Sequence, residues 1–169
     1  MEAKTYIFQP EKKFLKQGNF VEDEAGNLVY EFKMLTQPLI GAMEFEFVNH
    51  LTGTSEKHKV SHTTTTESSG LFLPTVKSWF KLDGTNIWDY LHEKGIRLDS
   101  HVLDGKIGAD YDVSLNGNFI GRVGTYSPSG ENALLTSNHY LKVETIEEYL
   151  DLVLLVAFAI SRTDQAFLQ

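Results

Sequence analysis

The 169-residue sequence contains no cysteine. That absence excludes a disulfide scaffold, thiolate-bound zinc, iron–sulfur ligation and a cysteine nucleophile. Positive charge is also scarce: 15 Lys and Arg face 23 Asp and Glu, a formal net charge of −8 with His neutral. Phosphate backbones are gripped by a lysine and arginine surplus, so no nucleic-acid partner is expected. The deficit is uneven: residues 86–169 hold 6 basic and 12 acidic side chains and so carry −6 of the −8. An anionic partner should not dock there. A secretory signal is missing too, because Met1 to Lys16 interleaves Lys4, Glu11, Lys12 and Lys13 with isolated apolar residues. A cytoplasmic location is the default expectation.

What is present reads as one globular domain over residues 1–169, 41% hydrophobic and 12% aromatic, long enough to bury a core. Most of it is strand-like. Thr5–Phe8, Leu28–Phe32, Met43–Val48, Val76–Leu82, Tyr111–Leu115, Phe119–Val123 and Tyr140–Val143 are short runs rich in aromatic and β-branched residues, punctuated by Gly, Asn, Asp and Pro. Met43, Phe45 and Phe47 alternate with Glu44 and Glu46, the period of a half-buried antiparallel strand. Asn116-Gly117 between two such runs predicts a tight type I′ hairpin, and Glu24-Ala25-Gly26-Asn27 a looser one.

Two helices interrupt this pattern. Asn86 can cap a short amphipathic helix through Lys94, with Ile87, Tyr90 and Leu91 on one face and Gly95 as its stop. The second carries a Thr145-x-x-Glu148 capping box and acidic residues Glu147, Glu148 and Asp151 at its positive end. It then runs through nine consecutive apolar residues, Leu152 to Ile160. Nine helical residues cover roughly 14 Å, less than half of a bilayer core of roughly 30 Å, so the row is not a membrane span. A helix apolar on all sides must be enclosed by protein. With strands as the main material available, the expected enclosure is a closed or nearly closed antiparallel β-barrel threaded by the C-terminal helix. A buried strand is the rival reading of the row.

These units resemble the tubby C-terminal-domain-like superfamily, in particular its LURP-one-related proteins and small bacterial relatives. The resemblance rests on Glu22-Asp23-Glu24-Ala25-Gly26-Asn27-Leu28-Val29-Tyr30, on Asp110-Tyr111-Asp112-Val113 with the Asn116-Gly117 hairpin into Ile120-Gly121-Arg122-Val123, and on the closing apolar helix. It implies a barrel of about twelve strands around a hydrophobic C-terminal helix. Tubby proteins tether to phosphoinositides through a basic pocket, which implies a non-enzymatic binding or interaction module with an anionic phospholipid headgroup, or a protein, as candidate partner. Lipid scramblases thought to share the fold add palmitoylated cysteines and a membrane-inserting segment, and this chain has neither. Self-association, or an enzyme site assembled from barrel loops, are the alternatives.

Two clusters offer concentrated positive charge for such a headgroup: Lys12, Lys13 and Lys16, and Lys57, His58, Lys59 and His62. A solvated loop face is the simpler explanation of both. No cofactor is expected, and motif chemistry is absent. Asp99, His101 and Asp104 fit no helical pair or calcium loop. No G-x-S-x-G elbow or glycine-rich phosphate cradle occurs. Glu44 and Glu46 share one strand face and cannot flank a substrate from opposite sides.

Overall fold

The computed structural model describes residues 2–9, 18–36, 42–67, 75–102, 109–126 and 140–167. In chain order these form β1 (Lys4–Gln9), β2 (Gly18–Asp23), β3 (Leu28–Thr36), β4 (Met43–Asn49), β5 (Thr54–Glu67), β6 (Thr75–Leu82), β7 (Thr85–Asn86), α1 (Ile87–Glu93), β8 (Ile96–Val102), β9 (Ala109–Leu115), β10 (Asn118–Tyr126), β11 (Tyr140–Thr145), a 3-10 turn (Glu147–Tyr149) and α2 (Leu150–Phe167). The strands make a single antiparallel sheet in the order β7-β6-β5-β4-β3-β2-β1-β11-β10-β9-β8. Pairing of β1 with β11 places the first and last strands side by side in the middle of the sheet.

The two edges, β7 and β8, are consecutive in the chain apart from α1 and its stop. Eleven strands laid flat at about 4.8 Å spacing would set those edges about 48 Å apart, whereas the nine residues between them span about 14 Å as helix. The sheet therefore curls, and α1 packs against β6, β7 and β8 at the seam. Hydrogen bonds do not complete the circle, since β7 and β8 are not paired among the described residues. The expected closed barrel of about twelve strands thus appears as one curled, eleven-stranded antiparallel sheet with a C-terminal helix.

Residues 152–160 are helical, as expected, and seven of the nine are buried. The row is wrapped on several sides. Phe158 stacks on Phe32 of β3 (4.6 Å between centroids, 5° between planes) and meets Phe45 and Phe47 of β4 edge-on. α2 also packs on β6, β10 and β11. Gly121 on β10 permits that approach, because a Cβ there would lie 2.7 Å from the Glu144 carbonyl and 3.1 Å from Val153. Among the described residues no helix is long and apolar enough to cross a membrane.

Local chemistry follows the sequence at three turns and departs from it at one. Asn116 and Gly117 both adopt positive φ, 51° and 85°, in the tight β9–β10 hairpin. Asp23 Oδ1 accepts from the Ala25 and Asn27 N–H groups in the looser β2–β3 turn. Asn86 Oδ1 accepts from Trp88 N–H and caps α1, which stops at Gly95 with φ 91°. The capping box before α2 does not form. Thr145 is the last residue of β11 and lies against the β10 bulge, so its hydroxyl donates across the sheet to the Ile120 carbonyl at 2.8 Å. The helix starts instead through the 3-10 turn, without a side-chain cap.

Candidate functional site

Strand alternation in β4 points Phe45, Phe47 and Asn49 inward, and β5 answers with His58, Glu56 and Thr54 directly opposite them. The apolar face of the sheet therefore turns polar as it approaches the β4–β5 turn. A cavity of about 300 Å³ opens there, beside the first turns of α2. Its apolar walls are Phe47, Leu82, Leu152 and Leu155, with the rings of Tyr30 and Tyr90. Its polar groups include Asn49, Glu56, His58, Lys94 and Asp151.

Two side chains, one buried and one partly buried, hold this end together. Asn49, 5% exposed, accepts the Leu51 and Thr52 N–H groups at Oδ1 (2.9 and 3.2 Å) and donates from Nδ2 to Asp151 Oδ1 (2.9 Å). One amide thereby shapes the hairpin turn and ties it to the start of α2. His58 lies tilted against Phe47, with ring centroids 4.6 Å apart. Its Nδ1 meets Asp83 Oδ2 at 2.7 Å and its Nε2 meets Glu56 Oε2 at 3.2 Å. Asp83, in the β6–β7 turn with φ 51°, also accepts the Lys59 N–H at 2.8 Å. Partial burial works against its ionisation and is the largest single influence. The hydrogen bonds from His58 and Lys59 outweigh it together and hold the Asp83 carboxyl below its ordinary value.

Tyr30 closes the inner wall. It is 6% exposed, and among the described residues its hydroxyl makes no hydrogen bond. Burial, followed by the negative charges of Asp151 and Glu56, pushes its ionisation well above the usual tyrosine range. The hydroxyl borders the cavity, where a ligand group can hydrogen-bond to it.

The charged clusters legible in the sequence are distributed differently. Lys57 and Lys59 are exposed and project from the opposite face of β5 to His58, in register with Glu46 and Glu44. Each lysine therefore has an acidic cross-strand neighbour. The pair of glutamates and the pair of lysines, read separately along the chain, form one mixed-charge surface. His62 pairs in register with Phe80, and its side chain lies outside the described residues. Lys12, Lys13 and Lys16 also lie outside them. Asp99 and His101 stand opposite Asp112 and Asp110 in the β8–β9 ladder, and Asp104 is outside the described residues. No cluster able to hold a metal ion occurs among the described residues.

Of the predicted anion-binding set, His58 is the one member that lines the cavity among the described residues. Tyr30, Asn49, Glu56 and Asp151 were not singled out as site residues by sequence reasoning. One signal pointed to Asn49: it continues the Met43, Phe45, Phe47 alternation, so it is a polar residue in phase with an apolar face. Comparison with family models, with curated proteins and with solved structures gave no match.

Proposed function

We propose that this chain is a non-enzymatic binding module on a tubby-like scaffold. In this reading the curled sheet is a barrel sealed by α1 rather than by a hydrogen-bonded seam, and the ligand enters the cavity beside the start of α2. One observation carries it: the hydroxyl of Tyr30, with no hydrogen bond among the described residues, borders a cavity of about 300 Å³ whose walls mix apolar and polar side chains. Concave, mostly apolar sites with a few placed polar groups are the usual form of small-molecule sites. Binding fits better than catalysis. Both ring nitrogens of His58 are engaged by carboxylates, and the Tyr30 hydroxyl is held far from ionisation at neutral pH.

An anionic lipid headgroup has less local charge behind it than the sequence suggested, because Lys57 and Lys59 are matched by glutamates across the strand pair. The test is a thermal-shift screen of small molecules on the wild type and on Leu152→Trp, whose indole fills the cavity. Ligands of the cavity raise the wild-type Tm and leave the variant unmoved. Hits that shift both proteins equally would place binding elsewhere and sink this reading. Co-sedimentation with vesicles of anionic phospholipid, abolished by Lys57→Glu with Lys59→Glu, would move the site to the outer face of β5.

A further inference from the structure

We propose that the group recognised in this cavity is an organic cation, an ammonium or guanidinium on a short apolar body. The inference rests on the cavity being the ligand site. Glu56 and Asp151 stand on its wall, and Lys94 is the single lysine or arginine among the described lining residues. Asp151 spends one carboxylate oxygen on Asn49, and its Oδ2 accepts no hydrogen bond among the described residues. Glu56 spends one oxygen on His58 and keeps Oε1 in the same state. Tyr30, itself 6% exposed, lines the cavity, and its hydroxyl, with no hydrogen bond among the described residues, adds an acceptor. An ammonium supplies N–H donors and no acceptor, so it complements this acceptor-rich wall.

The protein already places an ammonium of its own at the rim: Lys94 Nζ lies over the Tyr90 ring, 4.9 Å from its centroid. That wall is thus favourable for a cation by its ring quadrupole. An anion entering the same space would be repelled by two carboxylates. A bare divalent metal is a poor match, since no group of three ligating side chains converges there among the described residues. The walls of Phe47, Leu82, Leu152 and Leu155 call for apolar surface on the guest. The net charge of −8 favours the approach of a cation.

Three probes sharing one body separate the possibilities: 2-phenylethylammonium, 2-phenylethanol and 2-phenylethyl phosphate, titrated calorimetrically into the full chain. The ammonium probe is expected to bind about tenfold tighter than the alcohol, as charge-assisted hydrogen bonds to carboxylates require. The phosphate should bind more weakly than either. Glu56→Gln with Asp151→Asn should remove that preference. Lys94→Met should tighten the ammonium probe about threefold, by removing one like charge near the site. Ligand-free Tm values check that the variants are folded.

Failure of the ammonium probe to bind, equal binding of the alcohol, or tightest binding of the phosphate with loss in Lys94→Met overturns the cationic assignment. The cavity reading is judged apart from it, because any probe of either charge that binds there still loses its site in Leu152→Trp.

Discussion

The apolar row in α2 meets two kinds of surroundings. From Val156 to Ile160 every side chain is buried, and Phe158 sits among Phe32, Phe45 and Phe47 at centroid distances of 4.6 to 5.7 Å. One to two turns earlier, Leu152 and Leu155 are half-buried against the cavity, and Asp151 is exposed. The helix is equally greasy in both places, so the difference comes from the sheet. β3 and β4 present Phe32, Phe45 and Phe47 to Phe158, whereas β5, paired with β4, and the hairpin end present Glu56, His58 and Asn49 to the cavity. Packing at the first place supplies stability. The second leaves polar groups that are incompletely used, which is where recognition can be built.

Deleting the central ring gives the largest separation between the two regions. Phe158→Ala removes a fully buried ring with neighbours on β3 and β4, and should cost about 3–5 kcal/mol in urea unfolding. Leu152→Ala, which faces the cavity and stays half-exposed, should cost less than about 1 kcal/mol, since little new void is created. Equal losses in the two variants would mean that the cavity is packed like the core, and the contrast would collapse.

How much of this was legible follows the same division. The row Leu152 to Ile160 announced a wrapped helix because an all-apolar helix too short for a bilayer has few other places to go. Asn116-Gly117 and Asn86 act through backbone geometry within a few residues, so their turn and cap could be read directly. The T-x-x-E pattern misled for a reason outside the local sequence: Thr145 belongs to a strand, and a carbonyl from β10 reaches its hydroxyl first. The cavity was hidden for the same kind of reason. Its residues come from β3, β4, β5, β6, α1 and α2, and only the tertiary fold brings them together. Lys57-His58-Lys59 looks like one basic patch along the chain, yet alternation sends its lysines outward to glutamates and its histidine inward to Asp83.

The joint between the regions gives an intermediate effect. Asn49→Ala frees the Leu51 and Thr52 N–H groups and Asp151 Oδ1 at once. The partly buried site should lose about 1–3 kcal/mol, less than the deleted ring. Hydrogen exchange should rise first at Leu51 and Thr52 while amides around Phe158 stay protected. If exchange rose equally at both levels, the hairpin and the core would be one cooperative unit and not two regions.

The smallest effect is a difference in acid sensitivity. Asp83 is held below its ordinary value of 3.8, so its folded-state advantage is complete above that value and is lost as the pH falls through it toward the depressed folded value. Asp83→Asn removes the titration but keeps an acceptor for the Lys59 N–H. Asparagine also tolerates the positive φ of 51° at this turn. The variant should be less stable than the wild type near neutral pH. The gap should narrow between about pH 5 and about pH 3, as wild-type Asp83 gains its proton. Urea midpoints measured for both proteins across that range give the difference directly, with every other carboxylate cancelling. A constant gap would show that the Asp83 charge contributes nothing beyond its geometry, and that the polar rim is held by neutral hydrogen bonds alone.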